Sequence, residues 1–261
     1  MGEKKTIYYS RTYRRLDANA FVCIVQTCFL TLPFLLGFIF HIDTLTLFMC
    51  RAVNHVFGRV CPELHVFTMT KNFKVYGDVS FIAAQTVYPG FSASLYNFLA
   101  AAALIAVIVS MPWRGKPMGI YLILNISIHL LSSLWFMFGE DKFPYTFAQY
   151  SELYVLQEIS ILLVSAVIMG AVTGIIGSSH FFAKLLVCMG YIMYAIIFGT
   201  VRYIITLYII EKYSVIYMAA FYFSLGPMLD FVNMVFFSAL FFNRMIGVFE
   251  SAKGKGAWKW A

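Results

Sequence analysis

Six stretches of this chain, each at least 21 residues long, contain no more than one charged side chain apiece. A transmembrane helix needs about 20 predominantly apolar residues, because in lipid the backbone must satisfy its own hydrogen bonds. The stretches Ala18–Phe40, Phe91–Trp113, Met118–Phe138, Leu153–Ile176, Leu185–Ile210 and Tyr213–Phe242 therefore predict six spans. Composition agrees: 61% of the 261 residues are hydrophobic and 12% charged, against about 45–50% and about 25% in soluble domains. Together with a mean hydropathy of +0.80, these figures exclude disordered, collagen-like, nucleic-acid-binding and secreted disulfide-scaffold classes. The expected class is an all-α, polytopic membrane protein.

Charge sets the expected orientation. With the N-terminus inside, the inner segments hold 12 Lys and Arg with three acids, and the outer segments six with seven acids. Cytoplasmic loops retain Lys and Arg, so both termini are expected to be cytoplasmic, in a plasma membrane. The first span follows Arg11, Arg14 and Arg15 without a small-residue cleavage site and reads as an anchor. The layout is a basic tail (1–17), one membrane domain (18–243) and a second basic tail (244–261).

The segment 43–90, between the first two spans, is expected at the outer interface. Asp43–Phe57 has apolar residues at helical spacing and predicts an interfacial helix. Val79–Tyr88 is uncharged and short, ends at Pro89-Gly90, and predicts a re-entrant or interfacial helix. Cys50 and Cys61 share this segment and could be joined in an oxidising compartment. No CxxC spacing, paired intrahelical histidines or glycine-rich phosphate loop is visible. Neither a metal nor another cofactor is expected.

Ionisable groups at membrane depth are costly and mark either a site or a structural pair. Four lie inside the spans: His129, Glu158, Arg202 and Asp230. Counting about 1.5 Å per residue from the outer ends puts His129, Glu158 and Arg202 in one layer, roughly 8–13 Å deep. Asn125 and Gln157 lie nearby. Asp230, about 17 residues into the last span, counts to the inner half and is expected outside that layer. Glu158 and Arg202 can form a buried ion pair, or can serve an outward-facing anion or proton pocket with His129.

Asp43-Thr-Leu with Asn54, then Pro62-Glu-Leu, Thr70 and Gly77-Asp78, on a six-span layout, resemble the front of the type 2 phosphatidic acid phosphatase family. The resemblance covers about two-thirds of the chain and implies lipid-phosphate chemistry at the outer face. Of that family's catalytic set, Arg202 matches the arginine of the third motif. Leu156 stands at the histidine position of the second motif, Tyr208 at the later histidine and Lys212 at the aspartate. The last three spans also resemble exosortases and archaeosortases, with Arg202 again matching, Leu153 near the cysteine and Tyr222 near the histidine. Neither match retains a nucleophile, and both imply a catalytically degenerate member.

The expected role is accordingly a non-enzymatic binding or assembly subunit recognising a membrane lipid or lipid-linked phosphate. Other membrane proteins are further candidate partners; nucleic acid is not. Arg202 would contact the anion with Glu158 and His129 beside it, and Lys71 and Lys74 would recruit it from outside. Alternatives are an active lipid-phosphate phosphatase or exosortase-like transferase, and a small transporter or channel lined by Glu158, Arg202 and Asp230.

Overall fold

The computed structural model describes residues 14–16, 19–112, 115–139, 143–175, 180–250 and 258–260. Lys142 and most of the two basic tails lie outside the described residues. The elements run β1 (Arg14–Leu16), α1 (Ala20–Phe40), α2 (Ile42–Val60), β2 (Phe67–Phe73), β3 (Gly77–Ala83), α3 (Phe91–Ser110), α4 (Pro117–Phe138), α5 (Phe147–Ile175) and α6 (Phe181–Lys212). A broken segment follows, containing the single turn α7 (Met218–Ala220), then α8 (Pro227–Glu250) and β4 (Trp258–Trp260). Six of the helical segments are long and apolar enough to cross a membrane: α1, α3, α4, α5, α6 and Val215–Arg244. The chain is an integral, multi-pass membrane protein. At about 1.5 Å per residue, α5 and α6 are about 43 and 48 Å long, more than the roughly 30 Å hydrocarbon core requires.

The predicted helix at Asp43–Phe57 is present as α2. Its buried face is Ile42, Thr46, Met49, Cys50, Val53 and Phe57, three and four residues apart. Cys50 and Cys61 are both free thiols.

Val79–Tyr88 is not a helix. Its first five residues belong to strand β3, which pairs antiparallel with β2 from Phe67↔Ala83 to Phe73↔Gly77. Two β-prone runs, Phe67–Phe73 and Val79–Ile82, flank a three-residue turn that closes on Gly77 at φ +73°, where a glycine meets no steric cost. Residues Val79 to Ala83 are buried on both faces of the strand, which hides its alternation from a hydropathy reading. The free edge of β3 is closed by side chains. Ser80 N–H donates to Thr46 Oγ1 of α2 at 3.1 Å. Ile82 N–H reaches both Ser151 Oγ of α5 at 3.1 Å and Tyr203 OH of α6 at 3.0 Å. At the turn, Tyr76 OH and Ser160 Oγ of α5 lie 3.0 Å apart.

The sixth span is interrupted. Val215–Tyr217 forms a 3₁₀ turn, α7 one α-turn and Phe221–Leu225 a π turn, and Gly226 precedes α8, which begins at Pro227. Proline at the first turn of α8 lacks the N–H that would continue the preceding ladder. Backbone carbonyls freed inside a membrane need new donors, and the neighbouring spans supply them. Ser132 of α4 donates to Ile216 O at 2.8 Å and Tyr121 of α4 to Ser224 O at 3.0 Å. Gln157 of α5 donates to Tyr222 O at 3.4 Å, and Arg202 of α6 to Gly226 O at 2.8 Å.

The chain divides into two compact units. The first gathers residues 1–36, 165–192 and 234–261. Within it, Gly170 and Gly174 of α5 lie directly against Thr31 and Thr27 of α1. Such small-residue spacing lets helix backbones approach closely in lipid. Lys184, fully buried in α6, donates to Gln26 Oε1 at 2.8 Å. Strands β1 and β4 pair antiparallel in the same unit. The second unit, residues 37–164 and 193–233, contains α2, the β2–β3 hairpin, α3, α4 and the groups described next.

Candidate functional site: a buried charge cluster and an apolar cavity

Arg202 and Glu158 meet, as their shared depth predicts. Arg202 Nη2 donates to Glu158 Oε2 at 2.5 Å, and both side chains are almost fully buried. Arg202 Nε donates to Tyr154 OH at 2.6 Å, one helical turn before Glu158 on α5. The Tyr154 and Phe198 rings flank the guanidinium, with centroids 5.5 and 5.7 Å from its central carbon. Tyr154 in turn stacks on Tyr203 at 5.0 Å between ring centroids.

Asp230 belongs to this cluster, contrary to the depth count from the sequence. Its Oδ2 lies 2.8 Å from Arg202 Nη1. The count assumed one continuous helix from Tyr213. The 3₁₀ and π turns and the break at Gly226 interrupt that helix, so a count along it does not give the level of Asp230, and the long arginine side chain reaches it. Arg202 thus ties the break to α5 and α6 through Gly226 O and Asp230, while Glu158 anchors its other end.

His129 lies elsewhere in the unit. Its Nε2 is 3.2 Å from Asn97 Oδ1 of α3, and its ring stacks on Tyr217 at 4.9 Å. Tyr217 OH donates to the same Asn97 oxygen at 3.0 Å. These contacts join α3, α4 and the 3₁₀ turn. Asn125 donates to Tyr121 O within α4. Lys71 sits on the hairpin, exposed, with Nζ 2.7 Å from Glu152 Oε1 at the head of α5. Lys74 is exposed in the hairpin turn.

An apolar cavity of about 310 Å³ opens at the same end of α5. Tyr150 and Leu153 of α5 form one wall, and Met218, Ala219, Tyr222 and Phe223 of the broken segment form the other. Tyr150 and Tyr154 adjoin, at 6.3 Å between ring centroids, so one residue separates the cavity from the guanidinium. Sequence reasoning missed this cavity, Tyr154 and the role of Asp230. The Gly226-Pro227 pair was the available signal, since it marks where the last span must break and free its carbonyls.

Among the described residues, no group of three or more His, Cys, Asp or Glu is arranged to hold a metal ion. No protein-family model, curated protein or solved structure matches this chain.

Proposed function

We propose that this protein is a binding or assembly component of the plasma membrane that receives the apolar chain of a lipid or lipid-linked phosphate. The cavity between the head of α5 and the broken segment carries this reading. Its volume, about 310 Å³, falls at the lower end of the range of small-ligand sites, about 300–1,000 Å³. A lipid tail gains little by leaving one apolar medium for another, so selection here rests on shape and on the headgroup. Lys71 supplies a cation for that headgroup. Through Glu152 it is held at the same turn of α5 as the wall residue Leu153. An exposed ion pair is worth only about 0–1 kcal/mol, so a phosphate can displace Glu152 readily. Lys74 extends the positive face of the hairpin.

Arg202 has a different part in this reading. Its Nε, Nη1 and Nη2 are each engaged by Tyr154, Gly226 or a carboxylate, so it holds the broken segment in place and does not present itself to an anion. Leu156 and Tyr208, which stand at the two histidine positions of the resembled phosphatase family, agree with binding and not turnover. The 12-to-6 partition of Lys and Arg supports cytoplasmic termini and an outer location for the hairpin and cavity mouth.

The test is photo-crosslinking of a lipid phosphate with a photoreactive acyl chain to the protein in nanodiscs. Labelling is expected on peptides covering 143–153 and 218–223. It should fall severalfold in Ala219→Trp, which fills the cavity, and in Lys71→Glu. Equal labelling of wild type and Ala219→Trp would remove the cavity from the proposal.

A further inference from the structure

The geometry points to a proton-binding site in the Glu158–Arg202–Asp230 cluster, where the two carboxylates hold one exchangeable proton between them. The inference is independent of the lipid reading. Two acids face a single guanidinium, so the ionised cluster would carry one net negative charge. Glu158 is 2% exposed and Asp230 4%. The charged groups that reach Glu158 are Arg202 and Asp230, and the one that reaches Asp230 is Arg202, among the described residues. The other titratable side chains facing the cluster are the phenols of Tyr150 and Tyr154 of α5, Tyr203 of α6 and Tyr222 of the broken segment. No lysine or histidine among these neighbours balances the excess.

Hydrogen bonding singles out Glu158 independently. Glu158 Oε1 is buried and has no hydrogen-bond partner among the described residues. Glu158 spends its other oxygen, Oε2, on Arg202, while Oε1 rests against Gly199. Asp230 Oδ2 pairs with Arg202 Nη1 at 2.8 Å, the same nitrogen that donates to Gly226 O, so the two acids and one carbonyl share a single guanidinium. A surplus buried carboxylate charge with no cation of its own is neutralised by taking up a proton. The bound proton removes the surplus charge and leaves a single buried ion pair on Arg202. Releasing it would set both carboxylates against each other beside Gly226 O, where Arg202 holds the break in the sixth span. Proton occupancy and the packing of the broken segment are therefore linked.

The sign follows from linkage. If the folded cluster binds a proton that the unfolded chain has lost, stability falls as pH rises through the range in which the cluster releases it. One proton corresponds to about a tenfold loss in the folding constant per pH unit across that range.

Infrared spectroscopy of the full-length protein in nanodiscs at neutral pH tests this directly. A protonated-carboxyl C=O stretch is expected in wild type. It should disappear in either Glu158→Gln or Asp230→Asn and persist in Glu211→Gln, whose buried Oε2 also lacks a partner. The variant that removes the band should also flatten the decline of melting temperature between neutral and alkaline pH. Absence of the band in wild type, or its survival in both cluster variants, would overturn the proposal. So would stabilisation by Na⁺ or K⁺ at constant ionic strength without the band, because a metal cation would then balance the charge.

Discussion

The Glu158 carboxylate occupies the space that a side chain at Gly199 would need. A Cβ built on Gly199 overlaps Glu158 Oε1 and Cδ, so the absence of a side chain on α6 is what admits the acid to Arg202. The glycine is three residues before the arginine it serves, nearly one turn along the helix.

Gly199→Ala should therefore destabilise the protein even though alanine is the better helix former. Helix propensity favours alanine by about 0.8–1 kcal/mol. Displacing Glu158 removes its charge-assisted hydrogen bond to Arg202, worth about 1.5–3 kcal/mol, while Asp230 still pairs with the guanidinium. The expected net loss is about 0.5–2 kcal/mol, read as a lower melting temperature in detergent. An unchanged or raised melting temperature would show that Glu158 has another place to go.

Arg202→Lys should fail to substitute. The guanidinium sends Nε to Tyr154, Nη1 to Gly226 O and Nη2 to Glu158, a fork that a single ammonium cannot reproduce. Losing one charge-assisted hydrogen bond costs about 1.5–3 kcal/mol, and the lysine loses at least one. Arg202→Ala should be worse than either Glu158→Gln or Asp230→Asn, because it strands two acids. Neutralising both acids in the Arg202→Ala background should recover much of the loss. Differential scanning of the five proteins in one detergent decides the ranking.

The six spans, the helix over Asp43–Phe57 and the meeting of Glu158 with Arg202 were legible in the sequence. Each follows from run length, 3.6-residue periodicity or depth along a regular helix. Asp230 was not legible, because depth counted along a straight helix fails once Gly226-Pro227 interrupts it. The β2–β3 hairpin escaped for a related reason. Val79, Phe81 and Ile82 are buried with Ser80 between them, and a short strand buried on both faces has the same hydropathy as a short buried helix. The cavity depends on Tyr150 and Tyr222 converging from elements about seventy residues apart, a tertiary fact with no local sequence signature.

Cys50 should resist thiol reagents while the protein is folded. It is fully buried in α2, and burial pushes its thiol up to about 12. The thiolate is the reactive form, so raising the pH toward about 9 should not expose it to maleimide. Cys61, half-buried just past the end of α2, should react. A variant retaining Cys50 alone should label only after denaturation, by mass spectrometry. Rapid labelling of the folded variant would show that α2 detaches from β3.

The contact of α1 with α5 gives a prediction confined to the first unit. At Gly170 a Cβ would meet Thr31 Oγ1 and the Leu30 backbone, and at Gly174 it would meet Thr27. The pairs Gly170/Gly174 and Thr27/Thr31 repeat every four residues, so one face of each helix is small where they touch. In lipid, association depends on such close packing, since burying apolar surface gains nothing over acyl chains. Gly174→Leu places a branched side chain against the Thr27 Cα, which is backbone and cannot rotate away. Overpacking of this kind costs about 1–3 kcal/mol, and helix propensity in leucine's favour returns less than about 1 kcal/mol. Thr27→Ala shortens the facing side chain but leaves that backbone in place, so it should relieve Gly174→Leu only partly. Thr27→Gly is no better in this respect, because it removes no backbone atom. The single and double variants are compared by melting temperature in detergent and by protease sensitivity of α1. Full tolerance of Gly174→Leu would mean that α1 packs loosely against α5 and that the paired small residues do not hold the two helices together.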